Sequence, residues 1–212
     1  ERLRKERKEK KVAAILHDSY PVRFWDHDLG PDHPHLYVAD LGSLSHAAAG
    51  APDPTLELRD LTPDAGTHLI HGEADLAHDG SFVVTTWTEY EGRAEQRPAL
   101  VRIDVASGER TTLLTEAEWE FESPRISPDG TRVALVATQM STPERAPDPW
   151  LEILDLGTGE RTRLLTGWDN WPGPKEWLPD SSALVMAADD GGRAPLFLVP
   201  LDGSEPVRLT GD

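Results

Sequence analysis

Carboxylates and histidines are the residues in this chain whose types and spacing suit chemistry. The stretch WDHDLGPDHPH, residues 25–35, gathers Asp26, His27, Asp28, Asp32, His33 and His35, oxygen and nitrogen donors of the kind that hold divalent metals. Prolines and a glycine make it a loop, where Asp and His ordinarily bond the backbone, and no helical or strand spacing aligns several donors. We therefore expect no metal and no cofactor. His68 and His71 are read as strand or loop residues, since nothing completes a site around them. A second acidic segment, TEAEWEFES, sets Glu116, Glu118, Glu120 and Glu122 on alternate residues, hence on one face if extended. Carboxylates so placed repel one another unless they are solvated or face a cation. Two readings stay open: a solvated rim, or an anchor for the α-ammonium of a peptide.

Nucleophilic chemistry has no comparable support. A hydrolase elbow needs Gly-x-Ser-x-Gly, because close packing at that turn admits only glycine around the exposed hydroxyl. Ser43, Ser81, Ser107 and Ser204 each have one nearby glycine and belong to turns, and Ser127 opens an SPDG. Gly157-Thr158-Gly159 lacks the third glycine of a dinucleotide fingerprint and leads into a strand. By itself the chain is expected to be noncatalytic.

The elements that would position these residues repeat. AHDGSFVVTTWT, SPDGTRVALVAT and LPDSSALVMAAD align with their aspartates Asp79, Asp129 and Asp180 at intervals of 50 and 51 residues. Each is followed by a second signature, LVRIDVASGERTTLLT, LEILDLGTGERTRLLT or LFLVPLDGSEPVRLT. HLYVADL from His35 and LELRDLT from Leu56 form a more divergent earlier copy, making about four units. Pro128 presets φ, Asp129 can bond the following backbone, and Gly130 accepts positive φ, so SPDG predicts a reversal between two strands. Asp79 with Gly80, and Asp180, mark the same turn. RVALVAT and LEILDL then supply strands by β-branched content and alternation, and the GTGE turn leads to RTRLLT. Each unit is predicted as a four-stranded antiparallel meander. Such sheets cannot bury both faces alone, and radial stacking gives an all-β fold of propeller blades. Trp119, Trp168, Trp171 and Trp177 precede the SPDG-type turns, and we read them as corresponding residues that pack between blades.

The expected organisation is a charged helix over 1–17 and a partial propeller over 18–212, with units near 18–66, 67–116, 117–167 and 168–212. Against 21 Lys and Arg stand 38 Asp and Glu, a net −17. ERLRKERKEKK contributes +4 of its own, so the rest carries about −21. That charge repels nucleic acid and anionic lipid, and neither is expected as a partner. No apolar run approaches the roughly 18 residues of a membrane span. Cysteine is absent, and the cytoplasm is the expected compartment. Starting without methionine and stopping after a repeat-ending Leu-Thr-Gly, the chain reads as part of a longer polypeptide.

With its SPDG repeats and with KVAAILHDSYPVRFWDHDLGP over residues 11–31, the chain resembles the N-terminal propeller region of prolyl oligopeptidase family serine peptidases. The likeness covers essentially the whole chain and is strongest to bacterial acylaminoacyl-peptidase-like and dipeptidyl-peptidase-like members. It implies a ring of seven or eight blades that caps a C-terminal α/β-hydrolase domain and restricts access to short peptides. The catalytic Ser, Asp and His of the family lie in that hydrolase domain, and no position here matches them. Some dipeptidyl-peptidase-like members hold the substrate N-terminus with propeller glutamates. The resemblance offers Glu89 and Glu91 of TEYEGR, and Glu118 and Glu120, as counterparts. The implied partners are the hydrolase domain, the remaining blades and short peptides. Unstacked flanks also leave room for association between copies. Two other readings are a TolB-like propeller serving as a protein-interaction platform and a closed four-bladed ring with a lectin or scaffold role.

Overall fold

The computed structural model describes residues 2–14, 22–28, 33–41, 56–92 and 95–211. The helix α1 spans Arg2–Glu9 and carries an Arg2–Glu6 ion pair one turn apart, at 2.9 Å. It is shorter than the charge pattern suggests. Lys11 takes φ +53°, while Val12 N–H bonds to Arg7 O at 3.0 Å and Lys11 N–H to Lys8 O at 3.3 Å. These two bonds form a Schellman motif, which satisfies the last carbonyls and turns the chain away before Val12.

Everything else is strand and turn. Short antiparallel pairs come first, β1 (Arg23–Phe24) with β2 (His27–Asp28), and β3 (Tyr37–Val38) with β4 (Arg59–Asp60). Three four-stranded antiparallel meanders follow. One comprises β5 (Ala74–Leu76), β6 (Phe82–Tyr90), β7 (Gln96–Asp104) and β8 (Arg110–Leu114). The next comprises β9 (Trp119–Ile126), β10 (Arg132–Gln139), β11 (Asp148–Asp155) and β12 (Arg161–Arg163). The last comprises β13 (Pro172–Trp177), β14 (Ala183–Ala188), β15 (Leu196–Pro200) and β16 (Val207–Arg208). The propeller class read from the repeat is borne out. Three complete sheets, rather than four, occur among the described residues, and the divergent first copy contributes the β3–β4 pair.

The sequence repeat becomes a repeat of bonds. At the first turn of each sheet, Ala77, Ser127 and Leu178 donate their N–H to Phe82, Arg132 and Ala183, and accept from Gly80, Gly130 and Ser181. Asp79, Asp129 and Asp180 each accept from the backbone N–H and hydroxyl of the residue two positions on. Such an Asx turn replaces ladder bonds that a reversing chain forfeits.

The middle sheet buries one face against the sheet before it and the other against the sheet after it. Phe82, Val84 and Leu100 pack with Phe121, Val133, Leu135 and Leu154. Ala134, Leu151 and Ile153 pack in turn with Trp177, Leu184, Met186 and Phe197. The first strands meet around the stack, β9 touching both β5 and β13, as expected of the inner strands of blades arranged about an axis. Polar bonds staple the same seam: Asp75 Oδ2 accepts from Ile126 N–H at 2.6 Å, Trp177 Nε1–H donates to Arg125 O at 2.8 Å, and Arg125 Nε–H donates to Lys175 O at 3.1 Å.

The tryptophans are not equivalent. Trp177 directly precedes its turn and is buried, in the place of Ile126. Trp119 opens β9 and meets Trp150 edge-on at 5.0 Å. Trp168 meets Phe197 at 5.0 Å, whereas Trp171 is 62% exposed. Different distances from the turn place them at different depths of the blade, so the shared packing role holds for three of the four.

Candidate inner-strand site

In each sheet the first strand, β5, β9 or β13, runs into its aspartate turn, so each sheet has a turn end and an opposite end. The starts of the inner strands and the β6–β7 connection occupy the opposite end, and the candidate glutamates lie there.

At the turn end the carboxylates are held ionised. Asp129 Oδ1 accepts the Ser127 hydroxyl at 2.6 Å, the Thr131 N–H at 3.0 Å and the Thr131 hydroxyl at 2.7 Å. Led by the Ser127 bond, these push its acidity down to about 2. Asp79 and Asp180 are lowered in the same way, first by the hydroxyls of Ser81 and Ser182. Pro128, Asp129, Gly130, Asp79, Gly80 and Asp180 thus all sit in reversals, remote from the glutamates.

The opposite end shows the reverse tendency. Glu120 is half-buried, and Glu122, two residues on, is more exposed, with the buried Phe121 between them. Desolvation raises the carboxyl of each, and the charges of Glu120 and Glu73 raise Glu122 further. Glu73 directly precedes β5, so the inner strands of two neighbouring sheets bring three carboxylates together. Glu73 lies six residues before Asp79 and Glu122 seven before Asp129, because β9 carries a bulge that β5 lacks, so spacing alone hides their correspondence.

The other candidates disperse. Glu116 is drawn off to Arg161, at 2.6 Å. Glu118 takes φ +64°, and its carbonyl accepts the Met140 N–H at 2.9 Å, so the alternation that would align four glutamates begins only at Trp119. Glu91 accepts from Arg97 Nε–H at 2.7 Å, and Arg97, itself buried, also donates to Thr115 Oγ1 at 3.1 Å. Glu89 stands opposite Arg97 in the β6–β7 register. The Arg97 guanidinium compensates the charge of Glu91.

Within residues 25–35, His35 Nδ1 is 2.7 Å from Asp60 Oδ2, and His27 and Asp28 form the second strand of the β1–β2 hairpin. Asp32 lies outside the described residues. His68 stacks on Trp87 with centroids 4.9 Å apart, and its Nδ1 is 2.6 Å from Thr88 O. No group of three or more His, Asp or Glu able to hold a metal occurs among the described residues.

No family model matches the sequence. The protein named "Probable dipeptidyl-peptidase 5" of Emericella nidulans is 27% identical over 224 residues, covering 94% of this chain and 28% of that protein. The chain spans less than a third of the length of such curated relatives. Among solved structures, TolB of Acinetobacter baumannii superposes with a TM-score of 0.52 at 19% identity, over 73% of this chain and 35% of that one. The tricorn protease does so at 0.51 and 13%, over 69% and 15%. In fold the chain is a run of β-propeller blades, related in sequence to dipeptidyl-peptidase 5 and resembling the propeller region of prolyl oligopeptidase family serine peptidases.

Proposed function

We propose that these blades are the noncatalytic propeller portion of a cytoplasmic serine peptidase, gating access and helping to select short peptides for a hydrolase domain supplied elsewhere in the polypeptide. The observation that carries this reading is the Glu73, Glu120 and Glu122 cluster at the start of the inner strands, in a chain whose relatives bear dipeptidyl-peptidase names. Desolvation raises Glu120 and Glu122, the charges of Glu120 and Glu73 add to this at Glu122, and an incoming cation would relieve them. The α-ammonium of a peptide is such a cation, and it exists only on a chain end. Recognition there favours free N-termini and limits how far a substrate can extend past the site. Of the glutamates suggested by the resemblance, we assign this role first to Glu120, with Glu122 and Glu73 beside it. Glu118 precedes the cluster in the approach to β9, and Glu89 and Glu91 line the neighbouring connection, Glu91 compensated by Arg97.

The test uses the full-length polypeptide with both Glu120→Gln and Glu122→Gln. We expect kcat/KM to fall about tenfold or more on a dipeptidyl substrate with a free N-terminus, as for loss of a partly desolvated ion pair, and to change little on its N-acetylated form. Equal losses on the two substrates would contradict the assignment. The TolB-like fold favours a second reading, a protein-interaction platform. That reading calls for an encoding frame that carries no hydrolase domain.

A further inference from the structure

The inner strand of the last sheet differs from its neighbour in a way that suits the other end of a peptide. Asp129 and Asp180 place the two sheets in register 51 residues apart. Glu122 pairs with Val136, and Gly173 with Ala187, so Gly173 occupies in β13 the place that Glu122 occupies in β9. By the same count Trp171 takes the place of Glu120. Gly173 has no side chain to fill that place, and Lys175 folds into it: its Nζ lies 3.9 Å from where a Gly173 Cβ would stand. Lys175 is exposed, and no ion pair of its ammonium occurs among the described residues. Going around the axis, adjacent inner strands therefore offer two carboxylates and then an indole with an ammonium.

The geometry points to Lys175 and Trp171 as specificity-determining residues that take the carboxyl-terminal half of a short zwitterionic peptide, Lys175 meeting its free α-carboxylate and Trp171 its last apolar side chain. This rests on the peptidase reading above. β9 and β13 are in contact, and two or three extended residues reach no more than about 7–11 Å, the scale of neighbouring strands. A chain bound by both ends must be short, so opposite charges on adjacent strands add a length filter to the recognition of the N-terminus. Trp171, left uncovered at the strand's start, offers a rigid apolar surface beside the charge at small entropic cost.

The full-length polypeptide is assayed with Ala-Ala-Phe as the free acid and as its C-terminal amide. We expect a KM lower for the acid by about fivefold, the upper range for a solvent-exposed pair. Lys175→Met should abolish that preference by raising KM for the acid alone, Lys175→Arg should retain it, and Lys175→Glu should invert it. Trp171→Ala should reduce discrimination between Ala-Ala-Phe and Ala-Ala-Ala without touching the acid-to-amide ratio. If the parent shows no preference for the acid, or Lys175→Met leaves the preference intact, the role of Lys175 is overturned while the peptidase reading stands. An unchanged Phe-to-Ala ratio in Trp171→Ala overturns the role of Trp171. If the parent cleaves neither peptide, the peptidase reading fails and this inference falls with it.

Discussion

At the scale of single residues, the turns show how much one position can decide. Gly130 has φ +70° and Gly80 +73°, whereas the third turn puts Ser181 at +59°. An L-residue in that region is disfavoured by about 1–2 kcal/mol, partly offset by the greater unfolded-state freedom of glycine. Ser181→Gly should therefore stabilise the protein by about 0.5–1 kcal/mol, read as a rise in thermal midpoint; a fall would show that the buried serine packs more than it strains. Conversely, Asp129→Ala removes the acceptor that organises the turn, and Gly130→Val forces a β-branched residue to positive φ. Each should destabilise by about 1–3 kcal/mol, and unchanged melting of either variant would contradict that role. The acidity of Asp129, lowered to about 2, fixes the sign with pH. Its stabilising contribution is complete above the ordinary aspartate range and is lost as pH falls through about 2, so Asp129→Ala should approach the parent in stability only in strong acid. These turns were legible in the sequence because Pro, Asp and Gly dictate local backbone geometry. Ser181 was legible only as a departure from the motif.

Among elements, alternation and turn chemistry foretold the meanders, while features governed by distant partners escaped. α1 ends early because Lys11 closes a Schellman cap, and lysine carries no glycine-like signal of positive φ. The glutamate series breaks because Arg161 draws Glu116 away, and because Glu118 bends the backbone before β9 starts. Arg161 also lies 3.0 Å from Glu152, a buried residue on β11. Desolvation raises the Glu152 carboxyl, although Arg161 and Arg163 partly oppose this. A group raised in the folded state favours folding most while protonated, below its unfolded value, and loses that contribution as pH rises. Glu152→Gln should therefore melt at a higher temperature than the parent at pH 7, since a neutral isostere avoids the buried charge and Arg161 retains Glu116. The two curves should converge below about pH 4, where the parent carboxyl binds its proton. A variant less stable than the parent at neutral pH would show that the Arg161 ion pair outweighs desolvation.

Over the whole molecule, two ends of opposite electrostatic character emerge from one repeat. Hydroxyls and amides hold the turn-end aspartates ionised, while desolvation opposes ionisation of Glu120 and Glu122, and neighbouring carboxylates add to it at Glu122. The cation that would relieve those glutamates belongs in this account to a peptide, and the bond to be broken belongs to chemistry carried outside these blades. No Gly-x-Ser-x-Gly occurs in the sequence, and that is the ground on which the sequence leads us to expect catalysis elsewhere. Lys175 and Trp171 were not legible there, because their meaning depends on which residues neighbouring strands bring alongside. The most direct test compares the 212-residue chain with the full-length polypeptide in hydrolysis of dipeptidyl and acylaminoacyl chromogenic substrates. We expect turnover by the full-length polypeptide and none above background by these blades alone; enzyme-like turnover by the isolated chain would contradict the noncatalytic role.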